Sequence, residues 1–163
     1  MKRWLGLLVA ILAVVIPILA GQVGAFAGTR PIHPDLAQGQ LAPCPTTPNC
    51  VVSSATADPV HFIAPIAYTG DRQTAQADLL KILGVVPRTA IWHQGDRHIQ
   101  AESRSRLLGF VDDVEFYFPD RPEIEMRSAS RLGESDLGVN RRRLEQIRLA
   151  FADYRAARPP TPQ

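Results

Sequence analysis

The chain is nearly without lysine. Of eighteen basic residues in 163, only Lys2 and Lys81 are lysines, and after the first few residues Lys81 stands alone. Arginine, which pairs bidentately with carboxylates, carries the remaining positive charge. Cysteine is scarce too, with two residues, and histidine numbers four. So few ligand-type side chains, with no clustering of Cys and His, leave no metal-site pattern. No Gly-rich phosphate-binding fingerprint occurs, which argues against a nucleotide-binding fold, and no Gly-x-Ser-x-Gly elbow marks a hydrolase nucleophile. Internal repeats are absent. A net basic charge is also missing: the formal value is +2, but Lys2 and Arg3 supply it. Setting them aside leaves sixteen basic against sixteen acidic residues, which gives no support to nucleic-acid binding.

What is present begins with a leader. Met1-Lys2-Arg3 is a short positive start, Trp4 to Ala20 is uncharged and apolar, and Ala25-Phe26-Ala27 offers a small-x-small cleavage site before Gly28. This is the layout of a secretory signal peptide over residues 1–27. The alternative is an uncleaved anchor, since the apolar stretch has about the 20 residues that span a bilayer. In either case Lys2 and Arg3 stay inside and the rest of the chain is expected outside the cytoplasm, in a periplasm or thylakoid lumen. Cys44 and Cys50, in Cys-Pro-Thr-Thr-Pro-Asn-Cys, are then expected to form a disulfide that shapes one loop.

Residues 28–60 are rich in Pro, Ala and Thr with little periodicity, and read as an extended arm carrying that disulfide loop. Residues 61–157 form the core, and 158–163 a disordered tail. Asp71 is a plausible N-cap for an amphipathic helix over Arg72 to Leu83, with Ala75, Leu79, Ile82 and Leu83 inward. Four strands follow at Arg88–His93, Arg97–Arg104, Phe110–Phe118 and Glu123–Ala129, with turns at Gln94-Gly95-Asp96 and Pro119 to Pro122. A further strand is possible at His61–Ile66. Asn140 opens the last helix, with Leu144, Ile147, Phe151 and Tyr154 as its buried stripe. Short turns imply an antiparallel meander. The expected architecture is a two-layer α+β sandwich: a four- to five-stranded sheet with two helices on one face, preceded by the arm.

The densest stretch is Gly109 to Arg143. Phe110, Asp112, Val114, Phe116 and Phe118 share one strand face, and Asp113, Glu115 and Tyr117 the other. Asp112 therefore lies among aromatics and needs an arginine partner, with Arg127 and Arg131 as first candidates. The acids Asp113 and Glu115 are expected to pair with arginines. Ser128 and Ser130 have no histidine near in sequence, and are expected to cap backbone groups. Gly133, Ser135, Asp136, Gly138 and Asn140 make a tight turn and helix start. Arg141, Arg142 and Arg143 crowd the positive end of that helix, so something negative must face them. The candidates are the acidic hairpin, a bound anion, a lipid headgroup or an acidic partner.

The segments APCPTTPNCVVSS (42–54), HFIAPIAYTGD (61–71), GFVDDVEFYF (109–118) and RSASRLGESDLGVNRRRLEQIR (127–148) resemble the family called domain of unknown function 1499. The resemblance covers nearly all the chain after the leader and transfers no catalytic residue, cofactor or metal. The function expected is that of an exported, non-catalytic accessory domain. Its ligand would be an envelope protein partner or a small anionic molecule, with the membrane reached only through the N-terminal segment. The candidate binding residues are Asp112, Asp113, Glu115, Arg127, Ser128, Ser130, Arg131, Asp136, Asn140, Arg141 and Arg142. The alternative is a hydrolase using Asp112, Asp113 or Glu115 with one of His61, His93 or His98.

Overall fold

The structure, a computed structural model, describes residues 2–31, 39–54 and 56–157. The expected disordered tail at 158–163 and the arm's residues 32–38 and 55 lie outside the described residues. The leader forms helix α1 (Lys2–Gln22), with Pro17 inside it and a mean hydropathy of 2.6. At 1.5 Å per residue it is about 30 Å long, the thickness of a bilayer's hydrocarbon core. Its apolar side chains are mostly exposed.

The core is an open antiparallel sheet of six strands with two helices on one face. Strands β3 (Thr89–Gln94), β4 (His98–Arg104), β5 (Val111–Tyr117) and β6 (Glu123–Ser130) form the expected meander. The count exceeds the expected four or five because the stretch read as an arm contributes β1 (Cys50–Val52), paired antiparallel with β6. A two-residue strand β2 (Ile66–Ala67) also pairs with β6. The order is β1-β6-β5-β4-β3. Strand β1 escapes periodicity because it is three residues long and wholly buried. The expected strand at His61–Ile66 is confined to β2 and a single parallel bridge between Val52 and Phe62.

Helices α2 (Arg72–Leu83) and α3 (Val139–Ala156) cover one sheet face. Asp71 caps α2 by accepting the Thr74 N–H at 2.7 Å, which satisfies one of the helix's orphan donors. Ala75, Leu79, Ile82 and Leu83 meet Val114, Phe116, Phe118, Ile124, Met126, Leu144, Ile147 and Phe151 in one core. Tyr154 corrects the expected stripe: it is 37% exposed, and its hydroxyl accepts a bond from Lys81 at 3.2 Å. Its polar tip can be solvated where α3 outlasts the sheet. The disulfide is formed as expected between Cys44 and Cys50, with the Cα atoms 5.6 Å apart.

Candidate functional site

The alternation of β5 and β6 divides the charged residues between two sheet faces. On the face away from the helices, Glu115 lies opposite Arg127, and the two pair at 3.0 Å with both side chains buried. Arg131, just beyond β6, donates to Asp113 at 2.9 and 2.6 Å and to Glu102 at 2.5 Å. Arg30, from the segment after α1, also bonds Glu102 and lies 4.4 Å from the Trp92 ring centroid. Burial raises the pKa of the Glu102 carboxyl, but Arg131 and Arg30 outweigh it and the net shift is downward. Hydrogen bonding to Asp113 likewise raises Arg131.

The helix-side face carries a second network at the start of α3. Asp112 finds its arginine, as its position among aromatics requires, but the partner is Arg143, at 2.6 Å, and neither Arg127 nor Arg131. Residues 127, 129 and 131 alternate onto the opposite face, so those arginines cannot reach it. The first turn of α3, packed over β6, delivers Arg143 instead. Ser130 donates to the other Asp112 oxygen at 2.6 Å. Ser128 donates to Asn140 Oδ1 at 2.5 Å, and Arg143 donates to the same oxygen at 2.6 Å. Asn140 Nδ2 in turn reaches the Asn49 carbonyl at 2.9 Å. The two serines thus join side chains, where backbone caps were expected. Asp136 accepts the N–H groups of Gly138 and Asn140, at 2.9 and 2.7 Å. Its carboxylate supplies negative charge beside the positive end of α3.

The expected arginine run splits three ways. Arg143 is half-buried in the Asp112 network. Arg141 donates to the carbonyls of Phe62 and Val60, each at 2.8 Å. Arg142 is exposed and, among the described residues, donates only to the Leu137 carbonyl, at 2.8 Å. Arg142 borders a cleft of about 410 Å³ between the start of α3 and the ends of β3 and β4, lined also by Arg88, Arg104, Arg106, Arg143 and Asp112. Asp112 is the sole carboxylate of that lining and is already paired. Arg88 bonds the Arg104 carbonyl at 3.2 Å, and Arg104 stands 3.7 Å from Glu102. Among the described residues the Arg106 guanidinium has no polar partner. Surplus guanidiniums around a concave surface attract and orient oxyanions.

Arg88, Arg104 and Arg106 were not singled out from the sequence. The available signal was Ser103-Arg104-Ser105-Arg106 at the end of a strand, facing the Arg-Arg-Arg helix start. An apolar groove of about 240 Å³ adjoins the cleft, lined by Phe110, Leu132, Leu137 and Val139 and sharing Ser105 and Asp112 with it. Arg88 and Leu137 are the two non-glycine residues with left-handed backbone among the described residues, at φ 57° and 53°. Such strain persists only where surrounding structure imposes it.

The candidate hydrolase bases lie outside the cleft, with His98 on the outer sheet face near Glu115. His61 Nδ1 is 2.7 Å from Asp58 and its Nε2 is 3.2 Å from the Thr47 carbonyl. Both ring nitrogens face acceptors, and the Asp58 bond raises its pKa, which favours the imidazolium over a base. His93 and His98 stack on each other at 4.8 Å, and burial lowers the pKa of His98. No histidine lines the cleft. Among the described residues no group of three His, Cys, Asp or Glu side chains converges to hold a metal.

Fold and site together define an α+β domain with an apolar N-terminal helix, a disulfide suited to an oxidising compartment and an arginine-rich cleft. The chain belongs to the family described as Protein of unknown function (DUF1499), whose match spans residues 40–151. The cleft lies wholly inside that span, and α1 lies outside it. No curated protein matches the chain.

Proposed function

We propose that this protein is an exported, non-catalytic domain, tethered to the membrane by α1, that binds a small anionic ligand in its arginine cleft. The observation that carries the reading is the charge imbalance of the cleft, where five arginines face one carboxylate that Arg143 already neutralises. The hydrolase alternative loses support because Asp112, Asp113 and Glu115 are each held by an arginine, and no histidine lines the cleft. Retention of α1 is favoured by the packing around the small-x-small site. Phe26 stacks on Phe110 with ring centroids 5.2 Å apart, a contact that cleavage before Gly28 would remove.

The test is calorimetric titration of the full chain in neutral detergent with glycerol phosphate. Salt-sensitive binding is expected, lost in the Arg104→Glu/Arg106→Glu double variant. A flat titration with folded protein would overturn the reading. N-terminal sequencing of the exported protein checks the tether: a start at Gly28 would exclude it.

A further inference from the structure

Helix α1 does not hang freely from the domain. Gly21 lies so close to the loop after β4 that an added Cβ would sit 2.1 Å from the Leu108 carbonyl oxygen. Gln22 Nε2 donates to the Leu107 carbonyl at 3.1 Å and to the Arg106 carbonyl at 3.4 Å. Gly109, at φ +66°, returns the approach: a Cβ there would meet the Gly21 carbonyl oxygen at 2.3 Å. The end of the bilayer-length helix is thus seated on the loop that contributes Arg106 to the cleft. Around the same end, Val23 is 86% exposed and Leu107 61%, and Leu137, in the groove that Phe110 lines, is 84% exposed. Bare apolar side chains beside the end of a membrane-length helix are suited to a bilayer interface.

From this geometry, and resting on the anion-cleft reading above, we infer that the ligand is an anionic lipid of the membrane that α1 crosses. The headgroup phosphate enters the cleft between Arg104, Arg106 and Arg142. An acyl chain lies along the adjoining groove over Phe110, Leu132 and Leu137. Cleft and groove share Ser105, Asp112 and Val139, so one amphiphile occupies both. Charge selects the headgroup, since multiple guanidiniums satisfy a phosphate's oxygens where a zwitterion would bring its own cation. The docked α1 end sets the height, holding the mouth of the cleft at headgroup level without diffusion of lipid out of the bilayer.

The experiment is native mass spectrometry of the full chain released from neutral detergent, titrated in parallel with phosphatidylglycerol, phosphatidylcholine and glycerol phosphate. Phosphatidylglycerol is expected to be retained about tenfold or more over phosphatidylcholine, the effect of one or two charge-assisted bonds. Arg104→Glu/Arg106→Glu should erase that preference. Leu137→Asn, uncharged and tolerant of the left-handed backbone at this exposed position, should weaken phosphatidylglycerol but leave glycerol phosphate unchanged. If glycerol phosphate binds as tightly as the lipid and Leu137→Asn alters neither, the lipid inference falls while the anion cleft stands. If no anion discriminates wild type from the double arginine variant, both fall. Preserved near-ultraviolet circular dichroism in each variant keeps loss of binding distinct from loss of fold.

Discussion

On the outer face of the sheet, Glu102, Asp113 and Glu115 meet Arg30, Arg127 and Arg131 in closed pairs. Around the cleft, Arg88, Arg104, Arg106 and Arg142 have between them one carboxylate contact among the described residues, at 3.7 Å. The residue type is the same and the consequences differ. A buried guanidinium with a matched carboxylate is a structural part, because separating the two strands a charge in a medium that cannot solvate it. An exposed guanidinium with no carboxylate contributes little to stability and keeps its donors for an incoming anion. Arginine count alone therefore says nothing of function; the local charge balance and burial do.

The sharpest way to break this contrast is to remove one acid from the closed face. Glu115→Ala leaves Arg127 buried, and the expected loss is about 3 to 5 kcal/mol in urea denaturation. Asp112→Ala leaves the half-buried Arg143 without its carboxylate and should cost about 3 kcal/mol or more. Arg104→Ala and Arg106→Ala should each change stability by about 0.5 kcal/mol or less. Equal losses at Glu115 and Arg106 would show that the two sets of arginines are energetically alike, and the distinction between structural and available guanidiniums would be lost.

The disulfide sits outside both sets and gauges how far the first sheet edge depends on covalent help. Closing the loop between Cys44 and Cys50 stabilises by about 2 kcal/mol on chain-entropy grounds. Cys44→Ser/Cys50→Ser should lose about that amount while leaving anion binding intact. Lost anion binding in a folded double variant would tie the cleft to the loop through Asn49, whose side chain donates to the Gly133 carbonyl at 2.6 Å.

Beside that loop, the His61–Asp58 pair provides a pH-dependent comparison. The folded pKa of His61 is raised by its bond to Asp58, and that of Asp58 is lowered by the same bond. The histidine's contribution is complete below its unfolded value of about 6.5 and is lost as pH rises through the higher folded value. The aspartate's contribution is present above its own unfolded value and is lost as pH falls through the lower folded one. The pair therefore acts between the two. Urea midpoints followed from about pH 6 to pH 9 should decline more in wild type than in His61→Gln. Parallel curves would remove the pair from the stability account.

Most of the fold was legible because its signals are local. The Asp71 cap and the α2 pattern depend on neighbours within four residues, and the β5 alternation placed Asp112, Asp113 and Glu115 on their correct faces. The partner of Asp112 was less accessible. Alternation alone puts Arg127 and Arg131 on the other face, but choosing Arg143 requires knowing how α3 packs over β6. Strand β1 was hidden by its shortness. The cleft was hidden more deeply, since Arg88, just before β3, and Arg104, at the end of β4, meet Arg142 only through the sheet and α3. Single residues at strand ends carry no periodicity to mark them.

Arg142 combines a small expected stability change with the finest test of the comparison. It belongs to the same three-residue run as Arg143, one position away, yet it turns outward and donates only to the Leu137 carbonyl. Losing one exposed bond costs little because water replaces the donor, so Arg142→Ala should destabilise by under about 1 kcal/mol. Affinity for glycerol phosphate should nevertheless fall by about tenfold, the loss of one charge-assisted bond. Arg142→Lys separates charge from geometry, since an ammonium keeps the charge but not the planar fork. Partial rescue by Lys would assign the remainder to the guanidinium's shape. If Arg142→Ala instead lowers stability by as much as Asp112→Ala and leaves affinity unchanged, Arg142 belongs with the closed pairs, and the cleft loses the arginine that α3 projects outward into it.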